Sequence, residues 1–426
     1  MMNKRLFALS LATLFSYFAF SQGFTLQPGN PVTEKFSPER LQRIDKVIQQ
    51  YVDSGWVVGA DAFIARNGRI VYNKAFGMAD AEKKLPMQTD EIFRIASQTK
   101  AITSVAVMML FEEGKFLLDD PISKYIPSFA HPKVLAEFNP KDSSYTTIAA
   151  RREITIRDLL THTSGVDYAQ IGSSSMKAIY AKNKIYAGFV YDKLLLADAI
   201  NKLGTLPLAH QPGEKFTYGL NIDVLGYLVE KVSGKSLDQF FKERIFQPMG
   251  MNDTYFYLPQ SKYSRLATVY TPDKTQHLVK ANETTFPGIN WDYPLTNGTY
   301  FAGGAGLSST IKDYAIFLQM MLNNGEYNGH RLLSRHTVEI MTMNQIGNLN
   351  LDRDKFGLGF EIATKDGQAK LGQTEGSFSW GGFYGTIYWA DPKEHMVCLL
   401  FVQEWPYPHG ELSDKFKVLV YSALND

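Results

Sequence analysis

Phe93-Arg94-Ile95-Ala96-Ser97-Gln98-Thr99-Lys100 leads without a break into the apolar run Ala101-Ile102-Thr103-Ser104-Val105-Ala106-Val107-Met108-Met109-Leu110, and the reading of this 426-residue chain turns on that junction. The run predicts a helix over Ala101 to Glu113. If Ser97 opens that helix, Lys100 at i+3 lies on the same face, with the two Cβ atoms roughly 5–6 Å apart. Apolar residues surround most of the helix, which predicts that its first turn lies inside the protein. A serine hydroxyl is a weak nucleophile until a neighbour takes its proton. A lysine can do so when desolvation destabilises its ammonium form. The partial positive charge of a helix N-terminus favours an oxyanion at the same place. Taken alone, Ser-x-x-Lys is also what a capping serine followed by a solvated lysine looks like, so partners elsewhere in the chain have to decide.

Upstream, Ser37-Pro38-Glu39 offers an N-cap followed by proline, and Leu41, Ile44, Val47, Ile48, Tyr51 and Val52 recur at helical spacing. Trp56 to Ala65 and Ile70 to Phe76 then read as strands joined by Asn67-Gly68, a pair favoured in tight hairpins. Downstream, Gly382 to Ala390 and His395 to Val402 read as strands and Ser413 to Leu424 as a closing helix. Between them helices are predicted over Thr155 to Leu160, Asn221 to Val232, Leu237 to Phe246 and Thr310 to Leu322. Phe138 to Arg152 and Thr271 to Thr299 are the expected long loops. The expected fold is α/β in the α+β sense: an antiparallel sheet built from both chain ends and flanked by helices, with an inserted mainly helical lobe. The sheet lobe is placed at about 35–95 and 350–426 and the helical lobe at about 96–349.

A chain with 45% hydrophobic and 20% charged residues can bury a large core, which argues against disorder. Its formal charge of +1 provides no field for nucleic acid or anionic membranes and leaves a small molecule as the expected partner. Lys4 and Arg5 precede an apolar run from Leu6 to Phe20 that ends in Ala19-Phe20-Ser21. This has the form of a signal peptide over 1–21, leaving a catalytic domain over 22–426 exported to the periplasm or medium. The run is shorter than the ~20 residues of a spanning helix, so no stable membrane anchor is expected. Cys398 is the single cysteine, which excludes an intramolecular disulfide framework, and its apolar surroundings predict a buried thiol. The eight histidines never stand at His-x-His or His-Glu-x-x-His spacing, so no metal and no cofactor are expected.

Four blocks occur in a telling order: Ile92 to Lys100; Ile154-Thr155-Ile156-Arg157-Asp158-Leu159-Leu160-Thr161-His162-Thr163-Ser164-Gly165; Gln211-Pro212-Gly213-Glu214-Lys215-Phe216-Thr217-Tyr218; and Trp380-Gly381-Gly382. With Gly303-Gly304-Ala305-Gly306-Leu307-Ser308-Ser309-Thr310 as a further anchor, the chain from about Ser37 onward resembles the class C β-lactamase and penicillin-binding-protein-like serine hydrolases. The esterase branch, the family VIII carboxylesterases, is the most similar. The resemblance implies that Ser97 is the acylated nucleophile, Lys100 its activator and Tyr218 the proton relay to the leaving group. It further implies that the backbone N–H groups of Ser97 and Phe383 form the oxyanion hole, and that Trp380, Gly381, Gly382, Leu220 and Asn221 bind substrate on a wall just before an edge strand.

Two departures bear on substrate. Where β-lactamases carry Tyr-x-Asn the chain has Tyr218-Gly219-Leu220, with Asn221 one place late. Where they begin the third motif with lysine, or histidine in some relatives, it has Trp380. Both changes are seen in the esterase branch, and together they point to carboxylic ester hydrolysis. The alternatives are a β-lactamase or D-amino-acid peptidase, an acyltransferase, or a non-catalytic sensor like the penicillin receptors. His162, after the Thr155-to-Asp158 capping pattern, is expected to hold a loop by hydrogen bonding rather than act as a base. Gly306-Leu307-Ser308-Ser309-Thr310 lacks the final glycine of a Gly-x-Ser-x-Gly elbow and reads as a loop and helix cap.

Overall fold

The computed structural model describes residues 25–186, 188–189, 194–282, 289–349 and 351–426. The segment read as a signal peptide lies outside the described residues. The helix Pro38–Asp53 begins as its sequence dictates, with Ser37 Oγ accepting the Arg40 N–H at 3.3 Å and proline in the first turn. Beyond it the strands Gly59–Arg66 and Arg69–Asp80 pair antiparallel around Asn67-Gly68. Both turn residues have positive φ, 54° and 73°, as a turn matched to strand twist requires.

These strands belong to a nine-stranded sheet. Its main path runs Gln27–Pro28, Arg69–Asp80, Gly59–Arg66, Met396–Val402, Ile387–Asp391, Phe378–Gly381, Glu361–Ile362 and Lys355–Phe356, with Leu85–Pro86 attached to Arg69–Asp80. All pairs are antiparallel except the first, which is parallel. Met396–Val402 pairs with Gly59–Arg66, so the two ends of the chain meet in mid-sheet.

The strand expected from Gly382 to Ala390 begins only at Ile387 and runs to Asp391; residues 382–386 are a turn, with Gly385 at φ +83°, that joins it to a separate strand, Phe378–Gly381. Trp380 therefore lies on a strand rather than ahead of one. Nor is that strand a simple edge, since Glu361–Ile362 pairs with Ser379 and Phe378. Two-residue strands are too short to leave a periodic trace in the sequence, which is why this pairing was not anticipated. Likewise the expected loop from Phe138 to Arg152 contains half of a hairpin, Lys133–Asn139 with Ser144–Ala149. Most of its side chains are exposed on both faces, so no inside–outside alternation marks it.

Helices Pro38–Asp53 and Glu411–Ser422 cover one sheet face over a core that includes Ile44, Ile48, Trp389, Leu400, Phe416 and the buried thiol of Cys398. On the other face Phe63, Ala65, Leu399 and Phe401 join the larger core with helices Thr99–Glu112, Asn221–Ser233 and Ile311–Leu322. Among the described residues no helix is long and apolar enough to cross a membrane.

Candidate active site

The segment that carries Ser97 is held before it turns. Phe93–Arg94 pairs with Ser308–Ser309. The Gln403 amide clasps the Arg94 backbone on both sides, accepting its N–H at 3.0 Å and donating to its carbonyl at 3.1 Å. Ile95 N–H donates to the Leu307 carbonyl at 3.1 Å. The chain then turns sharply at Ala96, which has φ +42°, a region costly for a residue with a Cβ. Ser97 follows in a 3₁₀ turn over Ala96–Gln98, and Lys100 lies in the first turn of helix Thr99–Glu112. Residues Thr99 to Leu110 of that helix are all buried, in keeping with its apolar character on every side.

Lys100 Nζ lies 3.2 Å from Ser97 Oγ and 2.6 Å from the Gly304 carbonyl oxygen. The glycine pair 303–304 makes the second contact possible by lying against helix Asn221–Ser233. A Cβ on Gly304 would stand 2.3 Å from Asp223 Oδ2, and one on Gly303 would stand 2.8 Å from the Ile222 carbonyl. Asp223 accepts the Gly304 N–H at 3.2 Å. Burial pushes the Asp223 carboxyl above its usual range, while the Lys100 ammonium works against that rise.

Tyr218 meets Lys100 through its face rather than its hydroxyl: Nζ lies 4.7 Å from the ring centroid. The Tyr218 hydroxyl accepts from Trp380 Nε1 at 3.3 Å. Tyr168, which sequence reasoning did not single out, stacks on Tyr218 with centroids 5.6 Å apart, has Lys100 Nζ 5.5 Å from its ring centroid and lines a cavity together with Ser97. Burial and the neighbouring Tyr218 push its pKa up, so it stands as a neutral phenol. Its only sequence signal was its place three residues after Gly165 in the second block.

The other expected site residues divide into two groups. Phe383 lines a cavity beside Ser97, and its backbone N–H, like that of Ser97, donates to no protein acceptor among the described residues. Gly382 sits where the turn presses on the segment that carries Ser97, since a Cβ there would lie 2.5 Å from the Ile95 carbonyl oxygen. Its lack of a side chain thus serves backbone packing rather than substrate approach. Gly381 continues the Trp380 strand with no comparable clash.

Trp380 braces Tyr218 and Phe356 (centroids 5.3 and 5.4 Å) and is not among the cavity's lining residues. Leu220 and Asn221, expected at the substrate, are buried and are not among the residues lining the cavity beside Ser97. The Asn221 amide donates to His162 Nδ1 at 2.9 Å and to the Val166 carbonyl at 3.3 Å, and its oxygen accepts from Ser164. His162 Nδ1 also accepts the Gly219 N–H at 3.3 Å, which places its proton on Nε2. Burial and Lys100 hold His162 well below its ordinary pKa, so it is a neutral clamp on the Tyr218 turn. The one-place shift from Tyr-x-Asn puts the amide inside the protein instead of in the cleft.

The cavity beside Ser97 encloses about 50 Å³. Its walls are Tyr168, Phe189, Ile289, Ala305, Phe383 and Trp405, with Ile171 exposed at the mouth. Phe383 and Trp405 stack at 3.7 Å between centroids. No cation lines it. Among the described residues no three His, Cys, Asp or Glu side chains gather as metal ligands would.

The profile of the Beta-lactamase family matches residues 44–421. An uncharacterised protein of Mycobacterium tuberculosis is 34% identical over 377 residues, covering 84% of this chain and 89% of the relative. Esterase EstB of Burkholderia gladioli is 29% identical over 381 residues, covering 84% and 89%. The solved structure of EstCE1, a hydrolase with promiscuous acyltransferase activity, superposes with a TM-score of 0.78 at 27% identity, covering 92% of this chain and all of the other.

Proposed function

The chain belongs to the Beta-lactamase family of serine hydrolases, and from that premise we propose that it hydrolyses carboxylic esters through an acyl-enzyme on Ser97. The observation that carries the reading is the 3.2 Å approach of Lys100 Nζ to Ser97 Oγ at the edge of a largely apolar cavity. In the attacking step the Lys100 amine accepts the Ser97 proton as Oγ attacks the ester carbonyl. The tetrahedral oxyanion is received by the Ser97 and Phe383 N–H groups, both free to donate. Collapse expels the alcohol, which takes up the proton, and the acyl group occupies the apolar cavity. Water then attacks the acyl-enzyme by the reverse sequence of proton transfers, releasing the acid. Because the Tyr218 hydroxyl touches Trp380 rather than Ser97, its part in the relay runs through a water or a small rotation of the ring.

Several features favour an ester over a β-lactam. Trp380 stands where a lysine would meet a substrate carboxylate, and Asn221, the amide that follows the Tyr218 turn, is directed inward. The relative named as an esterase fits the same reading. Export by the N-terminal segment is part of the proposal, with a mature chain starting near Gln22.

Treatment with a fluorophosphonate should place a single adduct on the Ser97 peptide in mass spectrometry, and labelling at Ser164 or Ser308 would refute the assignment. A short-chain nitrophenyl ester should be hydrolysed with at least about a hundredfold greater kcat/KM than a chromogenic cephalosporin, roughly 2.7 kcal/mol of transition-state free energy. Equal efficiencies would end the esterase reading and leave the acyl-serine intact.

A further inference from the structure

Arg94 lies three residues before Ser97, yet its guanidinium belongs to a different cavity. That cavity has a volume of about 320 Å³ and shares no lining residue with the one beside Ser97. The Arg94 side chain is 3% exposed. Nε donates to the Trp291 carbonyl at 2.6 Å, one terminal nitrogen to the Ala267 carbonyl at 2.7 Å and the other to Asp292 Oδ1 at 3.4 Å. Five N–H groups are available on a guanidinium, so two are left without an acceptor among the described residues.

The charge is also poorly compensated. Among the described residues Asp292 is its only carboxylate partner, at a long distance and 70% exposed, whereas a buried cation demands close pairing. Asp80, the other acid on the wall, is already engaged by Lys83 at 3.0 Å and by the Thr268 hydroxyl at 3.1 Å. Lys280, the third cation on the wall after Arg94 and the paired Lys83, has no ion-pair partner among the described residues. The remaining surface is largely apolar, with Leu85, Leu266, Trp291 and Leu295.

We propose that this cavity is a second ligand site, which takes a small organic anion with an apolar body and a carboxylate or phosphate head group. The head group faces the spare N–H groups of Arg94 and the Lys280 ammonium, and the body lies against the leucines and Trp291. The requirement for both parts follows from the walls: cations in excess of free acids at one part, hydrocarbon over the rest.

Calorimetric titration of the full chain with hexanoate, hexyl phosphate and hexan-1-ol tests this without any turnover, so the outcome is separate from that of the esterase reading. At least one of the anions should bind in the millimolar range or tighter, and the alcohol should not. Which anion binds identifies the head group. Lys280→Glu should weaken binding at least about tenfold, and Ser264→Trp, at an exposed position on the rim, should abolish it. Both substitutions are at exposed residues and should leave the melting temperature unchanged. The proposal is overturned if neither anion binds, if hexan-1-ol binds as well as the anions, or if binding survives both substitutions in folded protein.

Discussion

On one side of Ser97, Lys100 is held between the serine hydroxyl and the Gly304 carbonyl, and Gly304 in turn is held by Asp223. On the other side Tyr168, Phe189, Ile289, Phe383 and Trp405 meet through ring faces and aliphatic contacts, contributed by segments that are far apart in sequence. The polar side depends on angles and distances of a few tenths of an ångström, because a proton moves only along a short hydrogen bond. The apolar side depends on area and shape, which many combinations of residues can supply. Substitutions on the two sides should therefore differ in kind: loss of rate on the first, loss of discrimination between acyl groups on the second.

The largest effect should come from the polar side. Lys100→Ala is expected to lower kcat for a short-chain ester about a thousandfold or more, within the range set by loss of a positioned base. Tyr218→Phe should also lower kcat, and the double variant should be little worse than the worse single one, because the groups act in one proton path. Multiplicative losses would mean that the Tyr218 hydroxyl, bonded to Trp380 as it is, works apart from Lys100.

A middle-sized effect is expected on the apolar side. Burying a methylene is worth about 0.8 kcal/mol, so a butyryl group seated in the cavity should be favoured over acetyl by about 1.6 kcal/mol, or roughly tenfold in kcat/KM. Trp405→Ala removes one wall and the stacked partner of Phe383 and should collapse that preference while kcat on the acetyl ester changes little. A loss of equal size on both esters would show that Trp405 acts on the chemistry through the Phe383 backbone rather than on the acyl chain.

The same division explains what could be read from the residue order. Ser97 and Lys100 were legible because helical geometry joins i and i+3 whatever surrounds them. The Ser37 cap, the Asn67-Gly68 turn and the Thr155–Asp158 capping box were legible for the same local reason. Tyr218 needed the resemblance to a family, since nothing near it in sequence distinguishes it from a core aromatic. Asn221 and Trp380 were placed at the substrate because motif spacing records order but not the direction of a side chain. One turns toward His162 and the other toward Tyr218. Phe189, Ile289 and Trp405 left no signal, because their meeting is decided by how loops from distant segments cross.

The smallest effect is expected at Ala96, where the two sides join. Its φ of +42° carries a strain on the order of 1–2 kcal/mol for a residue with a Cβ. Ala96→Gly would relieve that strain, but the freer unfolded chain offsets about 0.5–1 kcal/mol of the gain. The buried methyl, packed in the cluster that contains Phe189 and Tyr384, is also lost. These contributions nearly cancel, so the melting temperature should move by no more than a few degrees. Catalysis should change little as well, because the position of Ser97 is set by bonds that the substitution leaves in place: Arg94 to Gln403, Ile95 to Leu307 and Lys100 to Gly304. A fall in kcat of less than about tenfold at unchanged KM is the expected result. If Ala96→Gly approached the loss of Lys100→Ala with its fold intact, the turn would owe its shape to the strained alanine itself. The polar side would then be less firmly held than its hydrogen bonds imply.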